Sequence, residues 1–433
     1  MKRKKVAAIT LQTLTEHEVI VTLLALALLL AGAYLCGKLM ELIKAPKVVG
    51  EILGGLLFGG TVLYHFFPDS MGSVFLAYPE EGKVLNLFYQ MGLIFLMFSS
   101  GFNTRIDIDR KNMKVISFVF IGATILPMAG AIPFAGLFKE HFIGERGNDI
   151  SFMLVFVIGV AITSIPVISK IFFDMGVMNT TFSNTVLTVS TFQDLCLWIM
   201  LNVATRMATT GEVDLPDMLL VIVFTLGIFI IVKLVTDRLH RGYRRKLKAT
   251  DFYTVSFIAL LLFSALLYLA GINIMYSAFL IGYIVKAVSQ NDPEAEKRME
   301  AVANFSFSLF VPIYFALVGI QLNLIHNFSL GRFLLFFGIA FGLEAIGTVI
   351  MLLFTDLKKR VIVNFAVTMN ARGGPGIVLA TVAYSARIIS AEFFTVLILT
   401  TMLSSMIAGY WLRYWQKKDD SVFMELTKNK KGV

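Results

Sequence analysis

MNARGGPG, residues Met369–Gly376, sets an arginine, three glycines and a proline in a stretch with no other charge between Arg360 and Arg387. Proline removes a backbone donor and glycine costs about 1 kcal/mol relative to alanine inside a helix. A lipid-facing helix does not tolerate that density of breakers. Backbone that unwinds at membrane depth survives only where it is buried in protein or lines a watery cavity. A second apolar stretch is interrupted in the same way, at Ala161-Ile162-Thr163-Ser164-Ile165-Pro166.

Both interruptions lie in a chain of 433 residues that is 57% apolar and only 15% charged, against about 25% charged in a soluble domain. The composition is that of an all-α integral membrane protein. A spanning helix needs about 20 apolar residues. Cutting at charge clusters and Gly/Pro/Asn turns predicts thirteen spans, at 18–42, 47–66, 84–104, 114–138, 150–174, 181–207, 215–236, 254–270, 272–288, 304–323, 331–355, 360–388 and 392–416. The eighth and ninth are short and meet at Gly271. The interrupted spans are then the fifth and the twelfth. With the seventh as a linker, six spans on each side form two repeats, the breaks occupy equivalent positions, and the odd offset inverts one repeat relative to the other. Paired broken helices in inverted halves point to a secondary-transporter site at the midplane.

Three charges remain deep inside spans: Asp194 in the sixth, Glu344 in the eleventh and Arg372 in the twelfth, each without a charged neighbour for ten positions on either side. A charge at the bilayer centre costs about 2.5–3.5 kcal/mol on insertion scales, so such residues face an interior and pair with one another. A structural ion pair locking three helices is one reading. Ion or proton transport is the preferred one, because two carboxylates face one arginine and the unpaired acid can hold a proton or a cation. Arg372 is expected to hold the second broken helix by pairing with Glu344 or another acceptor, and its guanidinium stays protonated. Thr163 and Ser164, beside the first break, offer oxygen ligands or satisfy freed backbone groups. Ser190 and Thr191 precede Asp194 by four and three residues, on the same helical face. Glu51 reads as a charge near a helix N-terminus, and Lys170 as a solvated helix end.

The net charge of +9 does not indicate nucleic acid, because the basic residues sit in short loops beside apolar spans. Lys44 and Lys47; Arg105 to Lys114; Arg238 to Lys248; Lys297 and Arg298; and Lys358 to Arg360 occupy alternate loops. They place those loops and the C-terminus in the cytoplasm and the N-terminus outside, against the Lys2–Lys5 tail. The apolar run from Val19 reads as a retained first helix and not a cleaved leader. Cys36 and Cys196 lie in apolar runs, and the five histidines form no cluster with them, so neither disulfide nor zinc is expected. No aspartate pair, His-Glu-x-x-His or Ser-His arrangement suggests an enzyme at membrane depth.

The motifs resemble those of the cation:proton antiporter-2 family of monovalent cation/proton antiporters. The similar stretches are APKVVGEILGGLLFGG (Ala45–Gly60), MGLIFLMFSSGFNT (Met91–Thr104), TSIPVISKIFFDMGVMNT (Thr163–Thr180), FQDL (Phe192–Leu195), FVPIYFALVGIQLNL (Phe310–Leu324) and MNARGGPGIVLA (Met369–Ala380). The resemblance implies an elevator-type fold with crossed broken helices and a homodimer. A core of spans four to six and eleven to thirteen (114–207 and 331–416) would move against a scaffold (18–104 and 215–323). It implies that Asp194 takes either a cation or a proton, with Gln193, Thr163 and Ser164 as further ligands and Arg372, Glu344, Ser190, Thr191 and Asn370 in support. Gln193 stands where electrogenic relatives carry a second aspartate, and the same Gln-Asp pair occurs in glutathione-gated potassium efflux antiporters. Glu344 stands where many relatives have lysine.

The expected function is sodium/proton exchange by alternating access in the cell membrane. Potassium/proton exchange is the alternative and a cation channel a third possibility. No cofactor is expected beyond the transported ions, and no nucleotide-binding domain is expected after the last span, since no Gly-x-Gly-x-x-Gly follows a strand.

Overall fold

The computed structural model describes residues 13–103, 112–178, 180–210, 249–269, 272–289 and 293–419, with 223, 227 and 423. The predicted span at 215–236 apart from 223 and 227, the basic loop at 238–248, Gly271, the Lys2–Lys5 tail and residues 105–111 lie outside this set. The principal helices are α1 Glu16–Leu42, α2 Lys47–Phe58, α3 Glu81–Asn103, α4 Met113–Phe142, α5 Asp149–Val160, α6 Ile165–Asp174, α7 Thr181–Thr210 and α8 Ala249–Leu269. They continue as α9 Ile274–Val288, α10 Pro293–Ser308, α11 Phe310–Gln321, α12 Leu330–Leu352, α13 Lys359–Met369, α14 Gly373–Ser385 and α15 Ala391–Lys418. Among the described residues ten helical segments are long and apolar enough to cross a membrane. The predicted ninth span is the shorter α9, and the twelfth is the pair α13 and α14, divided at Asn370–Arg372.

Local chemistry fixes where the helices start. Thr15 and Glu18 form a reciprocal capping box on α1, and Asn148 and Ser151 do the same for α5, satisfying amides that a membrane interior would leave bare. Outward faces of α1, α8 and α12 present Ile20, Leu261, Leu262, Leu334 and Leu335 unburied, as lipid-facing helices do.

Close packing sorts the helices into two sets. Helices α1, α2, α3, α8, α9, α10 and α11 pack on one another, and α4 to α7 pack with α12 to α15. Glycine makes the tightest approaches in the first set: a Cβ at Gly55 would stand 1.8 Å from the Ala316 carbonyl oxygen. Such small residues let backbones approach where apolar contact alone gives no drive in lipid. In the second set, α4 relaxes into a π-helical turn at Ile121–Ile125 where it meets α12.

Candidate functional site

The two breaks become helix starts. Helix α5 ends at Val160; of the four non-helical residues that follow, the last, Ser164, caps α6, its Oγ accepting from the Val167 amide at 3.3 Å. Pro166 thereby falls in the first turn, where a missing N–H costs nothing. Helix α13 ends at Met369 and α14 starts at Gly373, which has φ +40° and donates its N–H to Ser405 Oγ at 3.0 Å. A Cβ there would lie 2.3 Å from Ser164 Oγ, so the position demands glycine on both backbone and steric grounds.

The breaks touch. The Ser164 amide donates to the Ala371 carbonyl at 2.6 Å, and Thr163 Oγ1 donates to the Met369 carbonyl at 2.5 Å. Arg372 Nη2 reaches back to the Val160 carbonyl at 2.8 Å, placing a positive charge on the negative end of α5. The same nitrogen bonds Glu344 Oε2 at 3.0 Å, and both side chains are buried. Thr163 Oγ1 lies 3.4 Å from the other Glu344 oxygen. Three residues singled out from sequence therefore meet in one cluster that spans α5, α12 and the second break.

Helix α7 meets this crossing from the side. Gln193 Nε2 donates to the Ala123 carbonyl (3.0 Å) in the π turn and to the Ala161 carbonyl (3.2 Å) in the first break. A π turn shifts the hydrogen-bond register of its helix, and such turns recur at functional sites. Asp194 is 1% exposed, and neither carboxylate oxygen has a hydrogen-bond partner among the described residues. Gln193 Oε1, Ser190 Oγ, Thr124 Oγ1 and Asn370 Oδ1 are likewise buried without one. Asn370 Nδ2 donates to the Ala366 carbonyl (3.0 Å) and Thr191 Oγ1 to the Leu187 carbonyl (2.9 Å).

Thr163 and Ser164 have structural bonds, but each hydroxyl oxygen retains a lone pair. Sequence reasoning missed Thr124 and Ser405. A lone hydroxyl in an apolar helix carries no signal of its own, since it can bond its own backbone.

Among the described residues, two of the clefts lie between the helix sets. The larger, about 1090 Å³, is lined by Lys47, Glu51, Lys170, Asp174 and Arg413, and by Pro166, Val167 and Gly374 from the first turns of α6 and α14. It thus connects the basic end of the molecule with both broken helices. The smaller, about 510 Å³, is lined by Asn202, Arg206, Asn273 and Thr381. Bonds across the two sets close the space near it: Tyr314 Oη shares a hydrogen bond with Thr381 Oγ1 at 3.1 Å, and the Asn273 amide donates to Asn202 Oδ1 at 2.7 Å.

The sequence model of the transmembrane sodium/hydrogen exchanger family matches residues 21–418. The chain belongs to that family. Among its relatives, the Na(+)/H(+)-K(+) antiporter GerN of Bacillus cereus is 25% identical over 400 residues, covering 90% of this chain and 95% of the relative. The K(+)/H(+) antiporter 1 of Saccharomyces cerevisiae is 24% identical over 384 residues, covering 85% of this chain but 43% of that protein. The chain thus spans less than half the length of that relative, and 47% and 44% of the cation/H(+) antiporters 20 and 15 of Arabidopsis thaliana. In three dimensions it is similar to the sodium proton antiporter MjNhaP1 of Methanocaldococcus jannaschii, with a TM-score of 0.60, 16% identity, and coverage of 94% of this chain and 99% of the other. The exchanger-family chain therefore shares the fold of a solved antiporter.

Proposed function

We propose that this chain is a secondary active antiporter exchanging a monovalent cation, sodium first, for protons, with both competing for Asp194. The observation that carries the reading is a buried carboxylate with two unpartnered oxygens, beside a glutamine that holds the first break. One carboxylate cannot hold a proton and a cation together, so binding of either expels the other. Gln193 Oε1, Ser190, Asn370 and the lone pairs of Thr163 and Ser164 are the candidate oxygens around a hard cation. Arg372 and Glu344 fix the crossing and stay out of the exchange. The mechanism is alternating access: the set containing α4–α7 and α12–α15 moves against the other in an elevator motion. Thirteen spans, two inverted repeats, a homodimer, a cell-membrane location, an external N-terminus and a cytoplasmic basic face complete the proposal.

The test is collapse of an imposed pH gradient in proteoliposomes on addition of lithium, sodium, potassium or rubidium. Wild type is expected to respond most strongly to sodium, and Asp194→Asn to respond to none while keeping its size-exclusion profile. A stronger response to potassium and rubidium keeps the antiporter and changes its cation; relatives named for sodium, for potassium and for both make that outcome informative. Full exchange by Asp194→Asn overturns the proposal, and cation flux without proton counterflow assigns a channel.

A further inference from the structure

Three carboxylates line the larger cleft, and they are not equivalent. Glu41 is 41% exposed and bonded to Lys38 at 2.8 Å. Asp174 is 31% exposed and shared by Lys170 at 2.6 Å and Arg413 at 3.3 Å. Glu51 is 7% exposed and, among the described residues, is held by one cation, Lys47 Nζ at 3.2 Å, one turn earlier on α2. Lys47 is itself 40% exposed. The pair lies against α1 at Gly37, where a Cβ would stand 3.1 Å from Lys47 Cγ and 3.6 Å from Glu51 Cγ. The nearly buried carboxylate thus depends on an ammonium that already stands partly in water.

A buried carboxylate requires a positive charge beside it, and removing the partner without replacement is strongly unfavourable. A lysine on a flexible four-carbon stem can swing into solvent while a small inorganic cation takes its place. Glu41 and Asp174 do not invite such a replacement, being more exposed and, for Asp174, shared by two cations. We infer that Glu51 is a second cation-binding group, at which a monovalent cation displaces the Lys47 ammonium before reaching the crossing of the broken helices. The route is the cleft itself, which runs from Lys47 and Glu51 to Pro166, Val167 and Gly374. The inference rests on the cation/proton exchange proposed above and adds a station on one face of the membrane only.

That one-sidedness supplies the test. Glu51→Gln and Lys47→Met, each in the full chain, are reconstituted alongside wild type. Initial exchange rates are measured while sodium is varied on the basic-loop face or on the opposite face, using right-side-out and everted vesicles. Glu51→Gln is expected to raise the apparent KM for sodium several-fold from the basic-loop face only, with the rate at saturating sodium retained. Lys47→Met is expected to lower the KM from that same face. Equal shifts from both faces, a loss of rate at saturating sodium, or no shift would overturn the inference. Should Glu51→Gln fail to fold, Lys47→Met with an unchanged KM overturns it, and Lys47→Met with a KM lowered from the basic-loop face only supports it. Asp194→Asn separates the two levels: full exchange in that variant removes the reading of competition at Asp194, whereas a silent Asp194→Asn beside a symmetric Glu51→Gln removes only the Glu51 station.

Discussion

Removing Arg372 should damage the protein more than removing Arg372 and the Glu344 charge together. The two side chains are 1% and 0% exposed and meet at 3.0 Å. At that separation and an effective dielectric constant of about 20, their attraction is about 5–6 kcal/mol before desolvation is subtracted. Breaking a buried pair by deleting one member costs about 3–5 kcal/mol, mostly because the survivor is left charged and uncompensated. Arg372→Ala also frees the Val160 carbonyl from its 2.8 Å bond, a net loss of about 1.5–3 kcal/mol for a charged donor. Glu344→Gln neutralises the stranded acid at little change in volume. The double variant should therefore recover about 2–3 kcal/mol relative to the sum of the single losses. Reversible unfolding in mixed detergent micelles, run on the four members of the cycle, measures this coupling. Losses that add to within about 0.5 kcal/mol would show that the two residues act independently, and the account of the crossing given above would fall.

Gly373→Ala forces a Cβ to within 2.3 Å of Ser164 Oγ at a φ of +40°. It should destabilise the fold by about 1–3 kcal/mol and slow exchange, as read by the same unfolding and flux assays. Tyr314→Phe removes one side of a buried hydrogen bond between the helix sets. It should cost about 1 kcal/mol and make a cysteine placed on the cleft near Asn273 more reactive to a membrane-impermeant thiol reagent. Competition at Asp194 predicts that the apparent KM for the cation rises on acidification, by at most about tenfold per pH unit. A KM independent of pH across the active range counts against a shared site.

The parts of the site visible in sequence were those where a residue is expensive in its surroundings. A charge in hydrocarbon or a Gly-Gly-Pro-Gly run in a span needs no structural context to be noticed, so Asp194, Glu344, Arg372 and both breaks stand out. Their neighbours could not be read in that way. The Arg372–Val160 bond joins residues 212 positions apart, and a backbone acceptor leaves no trace in the side chains. The π turn in α4 depends on how α12 packs against it, with Gly122 and Gly347 in backbone contact. Hydropathy located the ten long helices, but it could not show which faces meet, and so it gave no view of the clefts. From sequence, Glu51 reads as a charge near a helix N-terminus, and its place one turn inside α2 agrees with that, but its burial leaves no mark in the sequence. The cleft wall and Gly37 keep it nearly buried.

On the proposed reading, the charges at the crossing explain why exchange is obligatory. Arg372 and Glu344 cancel each other, which leaves Asp194 as the uncompensated charge among the three singled out deep in the spans. The site is neutral when Asp194 carries a proton or a monovalent cation, and negative when it carries neither. Moving the bare carboxylate through the membrane interior costs about 2.5–3.5 kcal/mol even on permissive scales, which slows the empty carrier by about two orders of magnitude. Loaded forms move and the empty one does not, so net cation flow requires proton return. The loaded forms have equal charge, so the exchange should be insensitive to membrane potential. The check is initial exchange under potentials clamped with valinomycin. A clear potential dependence would mean that a second group titrates during the cycle, and Glu344, the other buried acid at the crossing, would be the residue to substitute next.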